Sequence, residues 1–173
     1  MDFSIVQKQR NILRAGLMEH IENVSFKLND STLFTDTDGN TLPINRVVAN
    51  KRLGIYINQS RHCQTCIDSA IHIVKTRSVS SETPFILSSS DNCSNCNTRQ
   101  FKILSHETQL DVYTVDMQRE PGLQNLKTKD SPFCFILDSK GHINYVFYVD
   151  DILMPIVGEG YFNTINDVMN RSN

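Results

Sequence analysis

The hydrophobic pattern of this chain changes period near residue 60, and a pair of cysteines stands at the change. In "KRLGIYINQS", Leu53, Ile55 and Ile57 alternate with Gly54 and Tyr56. Apolar groups on both sides suit a central strand covered on two faces. Further on, Ile67, Ala70, Ile71 and Val74 recur at helical spacing, while Asp68, His72 and Lys75 fall elsewhere. Cys63 and Cys66 lie between the two patterns, at a strand-to-helix junction. Open α/β sheets carry their functional loops at the carboxyl ends of such strands.

The rest of the chain continues this alternation. Asp2 to Glu22 reads as an amphipathic helix, with Val6, Leu13, Leu17 and Ile21 on one face, available to dock on the domain, to form a dimer contact or to serve as a membrane-proximal stalk. Asp38-Gly39-Asn40 marks a turn between two short extended runs, hence a hairpin. After the Cys63 junction come a strand at "TPFILSSSD", a short helix at "NTRQFKILSHE" and a strand at "QLDVYTVD". Pro121-Gly122 opens a loop or short helical turn. "PFCFIL" and "INYVFYV" flank a tight turn at Asp138 to Gly141, and "GYFNTINDVMNRS" closes the chain as a helix with Phe162, Ile165 and Met169 on one side. This order implies a mixed sheet with helices on both faces.

Length and composition narrow the classes of function. The 173 residues suffice for one domain with a real core. A formal net charge of −2, without a basic or acidic block, gives no footing for nucleic acid. No run approaches the roughly 18 apolar residues of a membrane helix. The amino terminus lacks the architecture of an export signal. Two locations stay open: the cytoplasm, or the bacterial periplasm or cell envelope for a mature form whose signal has been removed. There are five cysteines, four of them in two CxxC pairs. The odd number and close spacing argue against a disulfide-stapled framework. Cys134, within "FCFIL", reads as a small buried hydrophobe.

At the first turn of a helix, a Cys63 thiolate would face free N–H groups and the positive end of the helix dipole. Such surroundings lower a cysteine pKa from about 8.5 to between roughly 3.5 and 7.5. Cys66 lies one turn on, near enough for an unstrained disulfide. Cys63 would then be the nucleophile and Cys66 the resolving thiol, exchanging through a mixed disulfide. His62 would stabilise the thiolate further if charged; otherwise it is a surface histidine without a task. Asp68 could relay a proton or simply solvate the helix.

From about Val24 onward the chain resembles thioredoxin-fold proteins of the redoxin kind, the TlpA-like and AhpC/TSA-like branch. The matching parts are "TDTDGNTLPI", "LGIYINQSRHCQTCIDSAIHIV" and "SPFCFILDSKGHINYVF". The resemblance implies a thioredoxin-like domain over 24–173, preceded by a helical extension over 1–23. It also implies a thiol-disulfide oxidoreductase acting on protein or peptide substrates with a reductase or oxidase partner. In that family a proline with a cis peptide bond faces the CxxC, and Ser131-Pro132 occupies its place here. The chain departs from the family in having His62 where an aromatic residue is common, no proline within or after the pair, and Ser69 where an acid is common. "GIYINQSRHC" also lacks the proline of a peroxidatic motif, so peroxidase chemistry is not expected.

Cys93 and Cys96, in "SDNCSNCNTRQ", are not explained by the resemblance. They could form a second redox pair, join Cys63 and Cys66 around one tetrahedral zinc ion, or be a passive pair. The stretch between Cys66 and Cys93 is longer than the commonest zinc-site spacing. No cofactor is expected on the redox reading.

Overall fold

The computed structural model describes residues 7–8, 11–13, 25–58, 61–77, 83–88, 97–126, 131–149 and 154–171. One mixed sheet contains β1 (Ser25–Lys27), β2 (Leu33–Thr35), β3 (Thr41–Pro43), β4 (Lys51–Ile57), β5 (Phe85–Ser88), β6 (Asp111–Thr114), β7 (Phe133–Asp138) and β8 (His142–Tyr148). Their spatial order is β1-β8-β7-β4-β5-β6-β2-β3. The helices are α1 (Ile44–Val47), α2 (Gln64–Arg77), α3 (Asn97–Thr108), α4 (Pro121–Leu126) and α5 (Met154–Asn170). β4, β5 and β6 run parallel, and β7 runs antiparallel to β4.

β4 lies inside the sheet, and from Arg52 to Ile57 every residue is buried. Its alternation splits the core in two. Leu53, Ile55 and Ile57 pack with Ile67, Ala70, Ile71 and Val74 of α2, Phe101 and Leu104 of α3, and Tyr161, Phe162, Ile165 and Met169 of α5. Tyr56 belongs to the opposite layer, with Phe85, Leu87, Phe133 and Phe135 under Phe34, Ile44, Val47 and Leu123. The expected helices on both faces are present, but unequally. The long helices cover one face, while short helices and the amino-terminal strands cover the other.

Gly54 shows why that second layer closes tightly. Its strand neighbours are Phe85 on β5 and Phe135 on β7. Those rings meet edge to face across the glycine, with centroids 5.8 Å apart. A Cβ at Gly54 would lie 2.4 Å from Phe135 Cζ and 2.9 Å from Phe85 Cζ. The glycine thus serves a close approach, as strand glycines often do.

The amino-terminal part divides in a way its sequence does not announce. β2 and β3 form the expected hairpin, but β1 pairs with β8 at the opposite edge. Residues 28–32 link the two, crossing the face of the sheet. In a flat sheet, six strand spacings would separate β1 from β2 by about 29 Å. Six Cα steps reach only about 22 Å, so the sheet curls. The crossing is held by hydrogen bonds: Leu28 N–H to the Gly141 carbonyl (2.9 Å), Asn29 N–H to the buried Glu120 carboxylate (3.2 Å), and the Thr32 hydroxyl to that same carboxylate.

At the far end of the sheet, Asp138 organises the β7–β8 turn. Its Oδ1 accepts the Lys140 and His142 N–H groups at 2.9 and 2.8 Å, and Gly141 takes a φ of +84° that disfavours a side chain. α5 begins at Met154, six residues before the "GYFNTINDVMNRS" run. Pro155 does not prevent this, because first-turn N–H groups need no helical partner. Residues 7–8 and 11–13 of the amino-terminal segment are helical, and Leu13, assigned to its docking face, is 50 % exposed. Among the described residues no helix is long and apolar enough to cross a membrane.

Candidate functional site

Cys63 immediately precedes α2 and caps it. Its carbonyl accepts the Ile67 N–H at 3.1 Å, the first helical bond, and its Sγ accepts the Cys66 N–H at 3.1 Å. A side chain accepting from the third helical amide is the bonding pattern of an N-cap. The sulfur occupies the place where serine or aspartate commonly sits. The sulfur is therefore held against the first free N–H groups of the helix, which favour a negative charge on a group placed there.

Cys63 and Cys66 are joined as a disulfide, with Cα atoms 5.2 Å apart, inside the window an unstrained bridge requires. Cys63 is exposed and Cys66 half-buried. Cys63 is thus the more accessible of the two sulfur-bearing residues.

The loop before Cys63 is anchored where β4 ends. The β4–β7 ladder closes at Tyr56–Phe133 and the β4–β5 ladder at Ile57–Ser88, where the Ser88 hydroxyl also donates to the Ile57 carbonyl at 3.0 Å. The Asn58 carbonyl then accepts the Arg61 and His62 N–H groups at 3.1 and 2.8 Å. In return, the Asn58 N–H donates to His62 Nδ1 at 3.1 Å. His62 is 5 % exposed, and its ring packs edge to face on Tyr56 with centroids 6.1 Å apart. This overturns the expectation of a surface histidine. In this geometry Nδ1 is the acceptor of the Asn58 N–H. Asn58 and Tyr56 were not foreseen as part of the site, since no spacing in the sequence links them to His62.

Pro132 lies one register step beyond the Tyr56–Phe133 pair, at the sheet edge where β4 gives way to the Cys63 loop. It is buried, and Ser131 beside it is half-buried. No peptide bond among the described residues is cis, so the expected cis Ser131–Pro132 bond is corrected to trans. Trans is the cheaper isomer by about 0.5–1 kcal/mol. The Pro132 carbonyl is already committed to the Val149 N–H at 2.8 Å, which fixes the residue beside β8. Asp68 is exposed and accepts from Gln64 Nε2 at 2.8 Å along the helix surface. Cys93 and Cys96 lie outside the described residues.

No protein-family model matches the sequence, and no curated protein matches it. Solved structures do match in fold. A member of the Sco family of cytochrome c oxidase assembly proteins, BsSco, in which a disulfide switch has been identified, aligns with a TM-score of 0.54 at 12 % identity, over 86 % of this chain and 95 % of its own. A thioredoxin-like protein from Porphyromonas gingivalis aligns at 0.52 and 15 % identity, over 82 % and 90 %. The thioredoxin domain of a thiol-disulfide oxidoreductase from Bacteroides vulgatus aligns at 0.50 and 13 % identity, over 85 % and 94 %. The fold is thioredoxin-like, as the resemblance had implied.

Proposed function

We propose that this chain is a thiol-disulfide oxidoreductase using Cys63 and Cys66. The carrying observation is the Cys63 sulfur, exposed at the end of β4 and capping α2 through the Cys66 amide. In the reducing direction, the Cys63 thiolate attacks one sulfur of a substrate disulfide. The S–S bond breaks, one substrate thiolate leaves, and a Cys63–substrate mixed disulfide forms. The Cys66 thiolate then attacks Cys63 Sγ, expelling the second substrate thiolate and closing the Cys63–Cys66 disulfide. Two electrons pass from the cysteine pair to the substrate. The reverse sequence oxidises a substrate dithiol.

Protein or peptide disulfides are the proposed substrates, because an exposed sulfur above a sheet edge is open to an extended chain. A reductase or oxidase partner would reset the pair. Ser131 and Pro132 are proposed to line the approach by their place beside the end of β4. The exchange needs no sulfur beyond Cys63, Cys66 and those of the substrate, and no metal. A disulfide sulfur is not a thiolate ligand, so the bridged state is incompatible with Cys63 and Cys66 holding zinc.

Insulin-disulfide reduction in the presence of a small dithiol tests the proposal. Wild type should accelerate it, Cys63→Ser should fall to the uncatalysed background, and Cys66→Ser should accumulate a mixed disulfide. Wild-type turnover in Cys63→Ser would refute it. One equivalent of zinc on protein purified without chelator, with both pairs blocked to alkylation, would favour a zinc-binding role.

A further inference from the structure

We propose that His62 is the positioning residue of the Cys63 site, acting as a neutral hydrogen-bond acceptor rather than as a positive charge. This deepens the redox reading above and rests on Cys63 being its working sulfur.

Asn58 is 1 % exposed and follows the last paired residues of β4, so its N–H needs a partner inside the protein. His62 Nδ1 supplies it at 3.1 Å, while the His62 N–H returns a bond to the Asn58 carbonyl at 2.8 Å. The two residues clasp each other across the loop, main chain to main chain and main chain to ring. The ring is braced in turn. It meets Tyr56 at an interplanar angle of 76°, and Tyr56 stacks on Phe133 with centroids 4.7 Å apart. Phe133 follows Pro132 directly. One histidine therefore ties the loop to the central strand and to the β7 side of the site.

The next residue along the chain is Cys63. Its capping bond to the Cys66 amide depends on where the backbone delivers it to α2. If the clasp opens, Cys63 can leave the helix end, and its thiolate loses the N–H group that stabilises it. A charged ring could not make this clasp, since Nδ1–H would point at the Asn58 N–H, donor against donor.

Two substitutions separate acceptor from charge. His62→Asn keeps an acceptor oxygen two bonds from Cβ, as Nδ1 is, but removes the ring. His62→Phe keeps a ring against Tyr56 but removes the acceptor. The readouts are the equilibrium of the Cys63–Cys66 disulfide with glutathione, resolved by mass spectrometry of the peptide carrying both cysteines, and hydrogen exchange of the Asn58 amide. In His62→Phe the equilibrium should move about tenfold toward the disulfide, the scale of one lost hydrogen bond to a charged or buried group. Asn58 exchange should accelerate by a similar factor. His62→Asn should stay within about threefold of wild type on both, on the same scale. If His62→Phe fails to fold, His62→Leu is expected to carry the same two shifts. Equal shifts in the Asn and Phe variants would mean that lost charge matters and would overturn the proposal, as would wild-type behaviour in both. These readouts need no turnover. Absence of insulin reduction by wild type would remove the enzymatic reading without altering them.

Discussion

Cys63 stands exposed before α2 with its sulfur on the Cys66 amide, whereas Cys134 sits within β7, between Ile55 of β4 and Phe147 of β8. Burial alone pushes the Cys134 thiol up to about 12. It faces the helical layer, near the buried Tyr161 phenol. Burial first, and then the Cys134 charge, pushes that phenol well above its ordinary range. The Tyr161 hydroxyl donates to the Tyr145 carbonyl at 3.0 Å, at a bulge where Tyr145 adopts a φ of +56°. One sulfur is exposed at the amino end of a helix. The other is kept protonated and serves as packing. The side chain is common to both, so the difference comes from position within an element.

The largest expected effect separates the two directly. Cys63→Ser should reduce disulfide exchange to background, and Cys134→Ser should leave exchange by the folded protein near wild type. Loss of exchange in folded Cys134→Ser would break the comparison. Next in size is Gly54→Ala, which sharpens the packing side. The new methyl must displace Phe135 and Phe85, and urea unfolding should show a loss of about 3 kcal/mol or more, at the upper end of overpacking costs. Cys134→Ser itself should cost about 1–3 kcal/mol in the same assay, because a hydroxyl replaces a thiol in an apolar layer. Cys134→Ala should cost less.

The smallest effect lies at the end of β7 away from the site. Partial burial pushes the Asp138 carboxyl up, but hydrogen bonds from the His142 and Lys140 N–H groups and from the His142 ring outweigh it, and the net shift is down. A carboxyl lowered on folding contributes stability above its unfolded value of about 3.9. That contribution disappears as pH falls through the lower folded value. Asp138→Ala should therefore lose under about 1 kcal/mol at neutral pH. It should also show a shallower fall in stability than wild type on acidification below about pH 4, followed by thermal unfolding. Its exchange rate should match wild type.

The features legible in the sequence were those with a strong local period. The run from Leu53 to Ile57 announced a central strand, and Ile67 to Val74 announced the helix, so the Cys63 junction was fixed by the chain alone. The Asp138–Gly141 turn was equally local. The placement of β1 was not, because three residues carry no period and their partner β8 lies more than a hundred residues on. The early start of α5 was hidden by Pro155, which reads as a breaker away from its first turn. His62 looked like a surface residue because its burial depends on a clasp with Asn58 across a loop and a ring beneath it. The isomer at Ser131–Pro132 was carried over by analogy, whereas the Val149 contact that fixes Pro132 is tertiary.

The central claim is that the Cys63 sulfur is activated by the amino end of α2. Alkylation of the fully reduced protein from about pH 4 to about pH 9, read peptide by peptide, tests it most directly. Cys63 should react first, with an apparent pKa below the free-thiol value of about 8.5, while Cys134 stays unlabelled. A Cys63 that titrates at or above that value, or that labels after Cys66, would contradict the account.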